Sequence, residues 1–356
     1  MDKARAILPE QRQDLFDSAI SKVTPGSPLR EAIDMITSAQ NGALICIGDV
    51  KGVLEIGNGG FRIDTPFTPQ RLFELSKMDG AIVLSDEAER IVCANFHLNP
   101  DPNLVTQETG MRHRSAARTS AQTDAVVIAI SKRRTQTTLY RKGQALTLDP
   151  DEINLSKSNQ GILALQSLKN SLEKAALRQS FIELDNLVTV VDVAALLARY
   201  ANLIRLAAST ERYISFLGNN SGLLRNQLEE IIAGVADSFI LAIRDYATTA
   251  SEREARKIAR SLLVMTRQEL TTEAIMVVLG FTKPMADEDR LSPRGFRVIS
   301  RISMLDEAAT SRIVEEYGSL AELVNDSKEG FDRLDNAGIE NARAIAKSFM
   351  QLRTTL

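Results

Sequence analysis

Two short stretches of the sequence carry residue types suited to phosphate chemistry. Residues 78–81 place an acid and a glycine, Asp79 and Gly80, at the entry to an apolar strand pattern. Residues 109–115 place a glycine turn and clustered cations where a helix pattern begins. A carboxylate can hold a hard divalent cation, and the start of a helix attracts anions. Together the two stretches predict a site for a polyphosphate ligand.

The spacing of the cations limits how they can act. Arg112 and Arg114 are two residues apart, so their side chains would diverge by about 200° in a regular helix. Both reach one ligand only from a turn or from the first helical turn, where Thr109 and Gly110 place them. Phosphoryl or nucleotidyl transfer to or from such a ligand demands mainly metal binding, alignment and neutralisation of charge. Asp79 is therefore predicted to bind Mg²⁺ or Mn²⁺ and to polarise an attacking hydroxyl.

Each signal has a plainer interpretation when it is taken alone. Asp-Gly is common in turns, and an Arg-His-Arg cluster can be a solvated helix start. The charge balance favours the functional interpretation. The whole chain has a net charge of -3, whereas residues 111–142 contain a single acid, Asp124, and eight cations. These cations are Arg112, Arg114, Arg118, Lys132, Arg133, Arg134, Arg141 and Lys142. Such a segment attracts anions and argues against a purely structural helical oligomer.

Several common classes of site are missing from the sequence. There is no phosphate-binding loop of the G-x-x-x-x-G-K-[ST] type, no dinucleotide fingerprint and no nucleophile elbow. Only two histidines, His97 and His113, are present, which argues against a zinc site. Cys46 and Cys93 lie in apolar runs and are predicted to be buried core thiols.

The elements that must position these residues form a mixed pattern up to residue 148. Helices are predicted at 29–40, 70–77 and 112–122, and strands at 42–48, 81–84, 91–95, 125–131 and 137–141. Strands interleaved with helices predict an α/β domain with a mixed sheet flanked by helices over residues 1–148.

Strand patterns end after residue 148. Helical patterns at 153–185, 191–207 and 223–246 predict an all-helical linker or spine over 149–290, either packed as a bundle or extended. Its stripe of Ile162, Leu165, Leu168 and Leu172 is predicted to be core, with a dimer seam as the alternative. A break at 291–295 precedes a third domain, 291–356, whose residues 334–343 have the pattern of a helix-hairpin-helix. No apolar run approaches the roughly 20 residues of a membrane span, so a cytoplasmic location without membrane contact is expected.

Residues 76–81, 95–102 and 108–116 closely resemble the diadenylate cyclase domain. With the helical middle, residues 292–297 and the glycine hairpin, the whole chain resembles the family of DNA integrity scanning proteins in domain order. The resemblance implies condensation of two ATP into cyclic di-AMP, with release of two pyrophosphates. It also implies face-to-face cyclase domains in a homo-oligomer, usually an octamer. Branched or junction DNA, bound without sequence specificity, is implied as a partner that reduces synthesis.

The resemblance also assigns roles to residues of this chain. Asp79 would be the metal ligand and a catalytic residue, and Arg112, His113 and Arg114 would be catalytic and contact phosphate. The implied ATP-binding set is Gly80, Ala81, Leu98, Thr109, Gly110, Met111, Arg112, His113, Arg114, Ser115 and Ser131. The implied DNA-binding set is Gly338, Ile339, Asn341 and Arg343.

Two positions depart from the family pattern. Met111 stands where the family usually has threonine, which removes a hydroxyl from the predicted phosphate site. The alternative function is therefore a DNA-binding scaffold whose cyclase domain has decayed into a nucleotide sensor. Glu340 stands where the hairpin usually has a second glycine, and its carboxylate should repel a DNA phosphate. Residues 312–356 carry six cations and eight acids, so a hairpin kept for packing or protein contacts is the alternative there.

Overall fold

The computed structural model describes residues 15–132, 136–302, 305–329, 333 and 347–351. The described residues fall into two compact units. One lies within Glu10–Ser158 and Arg212–Leu224, and the other within Asn159–Glu211 and Arg225–Leu356. The predicted domain boundaries at 148 and 290 stay a prediction.

A mixed sheet of eight strands forms the centre of the first unit. The strands are β1 (Ala43–Ile47), β2 (Gly57–Asn58), β3 (Phe61–Pro66), β4 (Ala81–Leu84), β5 (Arg90–Leu98), β6 (Val126–Ile130), β7 (Thr137–Arg141) and β8 (Gln144–Leu148). The strand order is β2-β5-β4-β1-β6-β7-β8, and β3 also pairs with β5. Only the β1–β4 pair is parallel among these described strands. The predicted mixed sheet is confirmed.

Strand β1 is apolar throughout because the sheet is covered on both faces. Ile45 packs into one core cluster with helices α1 (Asp17–Lys22) and α2 (Pro28–Ser38), and its neighbour Cys46 packs into a second cluster on the opposite face. Successive side chains of a strand point to opposite faces, which divides one apolar run between two cores. Cys46 and Cys93 are both buried free thiols, as predicted, and burial raises the pKa of Cys46 to about 12.

Three further helices flank the sheet. They are α3 (Val50–Glu55), α4 (Pro69–Leu75) and α5 (Met111–Gln122). Helices α2 and α4 begin as their sequences predict, with proline in the first turn and a hydroxyl cap: Ser27 accepts from the Arg30 N–H, and Thr68 from that of Arg71. Helices α2, α4 and α5 were predicted from the sequence, whereas α1 and α3 were not.

The second unit is helical, as predicted. It contains most of α6 (Asp151–Leu184), α7 (Val190–Ser215) and α8 (Gly222–Ile232), together with α9 (Val235–Tyr246), α10 (Glu252–Val264), α11 (Thr272–Val278), α12 (Phe296–Ile299), α13 (Glu307–Tyr317) and α14 (Leu320–Glu329). The helical pattern predicted at 223–246 corresponds to two helices, α8 and α9. Gly234 adopts a left-handed conformation with φ of 71° and separates α8 from α9. Within the predicted apolar stripe of α6, Leu168 is the exception, since it is 39% exposed.

The end of α9 is joined to α12 by side-chain contacts with backbone groups. The Asp245 carboxylate accepts the backbone N–H groups of Gly295, Phe296 and Arg297 at 2.8, 2.6 and 3.1 Å. Arg294 donates to backbone oxygens in the last turn of α9 and just beyond it, including that of Ala247 at 2.6 Å. Helix ends leave carbonyl and N–H groups without intrahelical partners, and these two side chains satisfy several of them.

Several predicted features fall outside the described residues. The glycine hairpin at 334–343, with the predicted DNA contacts Gly338, Ile339, Asn341 and Arg343, is one of them, and the cations Arg133 and Arg134 are others. Within the described ranges, no helix combines the length and apolarity needed to cross a bilayer.

Candidate functional site

The sheet register brings the predicted site residues to one edge of the sheet. Because β1 and β4 run parallel, their amino ends lie side by side, and Gly42 and Asp79 precede them at the same edge. Strand β6 runs antiparallel to β1 with Ile130 opposite Ala43, so Ser131 leaves the sheet at that edge too. Strands β4 and β6 are two strand spacings apart, or about 10 Å.

Strand β5 brings Leu98 to the same edge. It runs antiparallel to β4, with Phe96 opposite Ala81, so its carboxyl end lies beside Asp79 and Gly80. Gly80 has φ of 93°, and an added Cβ would lie 2.8 Å from the Asn95 carbonyl carbon. Glycine is therefore required at position 80, because the backbone there lies too close to β5 to leave room for a side chain.

Helix α5 starts at Met111, which puts Arg112 and Arg114 in its first turn as the sequence predicts. The residue before it, Gly110, has extended geometry and no side chain to cap the helix. The first N–H groups of a helix lack intrahelical acceptors and carry its positive end. An anion at this point would meet these backbone donors, and Arg112 and Arg114 both lie in the same first turn.

The Arg112 guanidinium lies directly against the backbone of Gly42. A Cβ on Gly42 would overlap Nη1 of Arg112 and lie 3.0 Å from its Cζ and 3.1 Å from the Ile130 carbonyl oxygen. Arg112 is half-buried in this position. Gly42 therefore gives Arg112 access to the sheet edge that holds Asp79 and Ser131, a role that nothing in the local sequence indicates.

His113 is held by a chain of hydrogen bonds through residues that the sequence does not predict to belong to the site. Its Nδ1 lies 2.8 Å from the Tyr140 hydroxyl, which in turn donates to Oε1 of Glu108 at 2.8 Å. Tyr140 is only 1% exposed, and burial together with Glu108 raises its pKa. A buried tyrosine hydroxyl needs a polar partner, and this is the one signal that could have drawn attention to Tyr140.

The predicted ATP-binding residues differ in how far they are exposed. The exposed residues are Asp79, Gly80, Thr109, Gly110, Met111 and Arg114. The half-buried residues are Leu98, Arg112, His113, Ser115 and Ser131. Ala81 is fully buried. Ala81 packs in the core, so it can meet a ligand only through its backbone. Met111 is 79% exposed at the first helical position.

The basic segment does not act as one cluster. Arg118 donates to the Leu104 carbonyl oxygen at 2.9 Å, and Arg141 donates to that of Leu15 at 3.0 Å. Arg141 and Lys142 follow β7 to the opposite edge of the sheet, because Thr137 at its start pairs with Ile130. Of the described cations in residues 111–142, Arg112, Arg114 and Lys132 lie at the edge of the candidate site.

Comparison with known proteins supports an assignment at the level of the family. Residues 30–145 match the family model "DisA bacterial checkpoint controller nucleotide-binding", and residues 148–287 match "DisA bacterial checkpoint controller linker region". A DNA integrity scanning protein DisA of Carboxydothermus hydrogenoformans is 38% identical over 337 residues, covering 94% of this chain and 96% of the relative. The chain belongs to the DisA family.

Other DisA proteins match over the same extent. That of Symbiobacterium thermophilum is 39% identical, covering 95% of this chain and 96% of the relative, and that of Clostridium tetani is 35% identical, covering 97% and 95%. The α/β domain is thus a DisA-family nucleotide-binding domain, and the helical region after it is the DisA linker region.

Two solved structures are also similar, at low TM-scores. DacA from Staphylococcus aureus is 20% identical with a TM-score of 0.30, covering 38% of this chain and 90% of DacA. A hypothetical membrane spanning protein from Bacillus cereus is 23% identical with a TM-score of 0.32, covering 35% of this chain and 62% of that one. At these scores neither adds to the family assignment.

Proposed function

We propose that the protein is a diadenylate cyclase, a nucleotidyltransferase that converts two ATP into cyclic di-AMP and two pyrophosphates. Each 3′-hydroxyl oxygen attacks the α-phosphorus of the other ATP. The bond between that phosphorus and the oxygen leading to the β-phosphate breaks, and the hydroxyl proton is released. The observation that carries this proposal is the single sheet edge at which Asp79, Ser131, Leu98 and the start of α5 converge.

The residues at this edge fit a divalent cation shared with the substrate. Among the described residues, no group of three or more His, Cys, Asp or Glu side chains could hold a metal. Mg²⁺ is commonly held by one or two carboxylates together with substrate phosphates. Asp79 is exposed and can supply such a carboxylate. Bound there, Mg²⁺ or Mn²⁺ would neutralise phosphate charge and make the 3′-hydroxyl more acidic.

The remaining residues have distinct roles in the proposed site. Arg112, Arg114 and the first N–H groups of α5 bind the phosphates and stabilise charge that develops on the α-phosphate and the leaving group. His113 adds a further polar contact to phosphate. Leu98 packs near the adenine, while Gly80 and Ala81 contact the nucleotide through backbone groups.

Two copies of the domain are needed for the reaction. Each copy provides one Asp79 and one α5 start, and therefore one ATP site, whereas the product joins two nucleotides. We propose that two cyclase domains meet face to face within a homo-oligomer, with an octamer as the expected assembly. The copies hold the two ATP molecules in the alignment for attack, which removes much of the entropic barrier.

The C-terminal region extends the proposal to DNA. The relatives carry the name DNA integrity scanning protein, and residues 334–343 have a helix-hairpin-helix pattern. We propose that this hairpin binds branched DNA through phosphate contacts and that binding lowers the rate of synthesis. Because the region from Arg312 onward is net acidic, several hairpins in one oligomer would act together.

The deciding experiment is to incubate the purified protein with ATP and either Mg²⁺ or Mn²⁺ and to identify products by mass spectrometry. Cyclic di-AMP is expected from the native protein. Asp79→Asn keeps the size of the side chain but loses its charge, and should reduce the rate at least 100-fold, the scale of a lost charge-stabilising group. A folded, oligomeric native protein that makes no product with either metal would refute the proposal.

Met111 motivates one alternative function. It is exposed at the first turn of α5, where a phosphate-binding hydroxyl would otherwise stand. The alternative is a DNA-binding scaffold that senses nucleotide without turning it over. A scaffold would bind ATP and junction DNA with and without Asp79→Asn but form no product, whereas the cyclase loses product formation and keeps its DNA affinity.

A further inference from the structure

Three elements contribute to one line of hydrogen bonds behind the proposed phosphate site. Glu108 lies in the loop before α5, His113 in the first turn of α5, and Tyr140 in β7. Tyr140 lies between the other two, with 2.8 Å from its hydroxyl to His113 Nδ1 and 2.8 Å to Glu108 Oε1. The histidine and tyrosine rings meet edge to face, with their centroids 6.0 Å apart. The Tyr140 ring is held by the core cluster on this face of the sheet.

The protons in this line can be assigned from donor and acceptor capacity. A carboxylate only accepts hydrogen bonds, and a tyrosine hydroxyl has a single proton to donate. The short contact with Glu108 therefore uses the Tyr140 proton. The contact with His113 can then be a hydrogen bond only if Nδ1 carries a proton and donates it to the tyrosine oxygen. If Tyr140 donated its proton to His113 instead, the Tyr140 hydroxyl oxygen and Glu108 Oε1 would lie 2.8 Å apart without a proton between them.

We infer that Glu108 and Tyr140 are positioning residues that hold His113 as the Nδ1–H tautomer, so that Nε2 is the ring nitrogen that acts on the nucleotide. Nε2 takes up a proton from solvent and donates it in a hydrogen bond to a phosphate oxygen. The Glu108 charge, relayed by the Tyr140 hydroxyl, stabilises the imidazolium that this produces. The tautomer follows from the hydrogen-bond geometry with Glu108 as a carboxylate, while the action on the nucleotide rests on the proposed function.

The arrangement resembles the general use of a histidine whose second nitrogen is fixed by an acceptor behind it. The partner behind the ring selects which nitrogen is available and fixes the plane of the ring. Here the direct partner is a neutral hydroxyl, and the charge lies one hydrogen bond further away. Burial and Glu108 raise the pKa of Tyr140, so its hydroxyl keeps its proton throughout the range in which a histidine titrates.

The ring tautomer can be measured directly, because the chain contains only two histidines, His97 and His113. Protein labelled with ¹⁵N-histidine would be studied by magic-angle-spinning NMR, whose line widths do not depend on the size of the oligomer. Spectra at a pH of about 9, well above the ordinary pKa of histidine, report the neutral rings. His97→Gln removes one set of signals and assigns the other. We expect protonated Nδ1 and unprotonated Nε2 for His113; the opposite pattern would overturn the inference.

Two variants separate positioning from mere packing. Tyr140→Phe removes only the hydroxyl, and Glu108→Ala frees the Tyr140 proton to be donated to Nδ1. Both should convert His113 to the Nε2–H tautomer. Tyr213→Phe is the control, since its ring lies against Lys157 rather than His113 and it should leave the native pattern intact. Retention of Nδ1–H in both Tyr140→Phe and Glu108→Ala would refute the assigned roles.

Kinetics supply the second readout. Tyr140→Phe and Glu108→Ala should each lower kcat/KM for cyclic di-AMP synthesis by about 10- to 100-fold, the range found for residues that orient a functional side chain. Tyr213→Phe should stay within about twofold, inside the scatter expected for a substitution away from the site. If the native protein makes no product, the proposed cyclase activity fails while the ring spectrum still decides the tautomer. If product forms and His113 is Nε2–H, only the inference fails.

Discussion

The position of Arg112 depends on a residue that has no side chain. Gly42 lets the guanidinium lie against the start of β1, and a Cβ there would occupy the same space. The backbone of Gly42 does not need a left-handed conformation, and the atoms nearest to an added Cβ belong to the Arg112 guanidinium. Gly42→Ala should therefore displace Arg112 and weaken nucleotide binding by about 10- to 100-fold, the scale of a lost charge-assisted hydrogen bond. Titration with a non-hydrolysable ATP analogue measures the loss.

The matched tests for Gly42→Ala are thermal stability and a double mutant. The melting temperature should fall only modestly, because the main overlap is with the tip of a flexible side chain and the Ile130 carbonyl oxygen, at 3.1 Å, has to shift only slightly. Arg112→Ala combined with Gly42→Ala should weaken binding no more than Arg112→Ala alone, since both remove the same contact. Additive losses would mean that Gly42 acts independently of Arg112.

At the scale of single residues, the sequence predicts the residues that would contact the ligand better than it predicts the residues that position them. The places of Arg112 and Arg114 in the first turn of α5 follow from local spacing, and the structure agrees. Gly42 and Tyr140 contact the site from positions 70 residues before and 27 residues after their partners, Arg112 and His113. Such contacts depend on sheet register, which local patterns do not specify.

Helices α6 and α7 are in close contact at Gly161. A Cβ added there would lie 2.7 Å from Cγ2 of Thr210, whose hydroxyl is held by the Leu206 carbonyl oxygen at 2.9 Å. Alanine normally stabilises a helix interior by about 0.5–1 kcal/mol relative to glycine. Here overpacking should cost about 1–3 kcal/mol and reverse the sign. Gly161→Ala should thus lower the melting temperature by several degrees.

The control for this contact is Gly222→Ala. Gly222 begins α8, is exposed, and has open space around an added Cβ. The melting temperature of the Gly222→Ala variant should stay the same as that of the native protein or rise slightly, as helix propensity alone predicts. Equal behaviour of the two variants in calorimetry would show that the α6–α7 contact does not restrict position 161.

A titrating group lies at the junction of α9 and α12. Burial, and then the nearby Glu183 carboxylate, raise the pKa of Asp245 to about 7. The folded state therefore prefers protonated Asp245, so its contribution to the free energy of unfolding is largest below about pH 4, the ordinary Asp value, and declines as pH rises to about 7. Relative to Asp245→Asn, the native protein should lose on the order of a few kcal/mol across this window.

Denaturant unfolding at a series of pH values measures that difference. The comparison between the two proteins cancels the titration of groups that do not interact with Asp245. The free energy of unfolding of the native protein should fall relative to that of Asp245→Asn as pH rises from about 4 to about 7. Parallel curves between pH 4 and pH 7, two values set by the ordinary and raised pKa, would show that Asp245 stays ionised in the fold.

Element type followed from the sequence wherever apolar periodicity was strong. Strands β4 and β7 have the predicted bounds, because their runs are buried on both faces. The sequence does not predict β3, because it is an outer strand of the sheet and exposes most of its side chains. It does not predict β8 either, because the side chains of β8 are only partly buried or exposed. Helix α3 is only six residues long and contains Gly52, so it carries almost no helical signal.

For the whole molecule, the proposed DNA binding has to overcome the net acidic charge of the C-terminal region. Glu340 lies in the sequence pattern of the hairpin, outside the described residues. Removing a like charge close to a phosphate in water gains about 1 kcal/mol, or roughly fivefold in affinity. Glu340→Gln should therefore strengthen binding to a four-way DNA junction by about that factor, measured by fluorescence anisotropy at low salt.

Glu315→Gln provides the matched control, since it makes the same change of net charge on the exposed surface of α13. If the hairpin carries the DNA contact, Glu315→Gln should change the affinity by less than about twofold, because exposed charges away from the bound phosphates are screened. Equal gains from both variants would place the DNA away from the hairpin.

The contacts between Arg294, Asp245 and the end of α9 have a consequence for how such proteins can evolve by recombination. The sequence favours a breakpoint near residue 290, because a break that contains proline and glycine follows at 291–295. It would, however, separate Asp245 from the three N–H groups it accepts and leave the carbonyl groups of α9 without Arg294. Each unsatisfied buried group costs about 1–3 kcal/mol. Natural exchange of the C-terminal region should therefore be tolerated only when residues 292–302 are inherited together with α9.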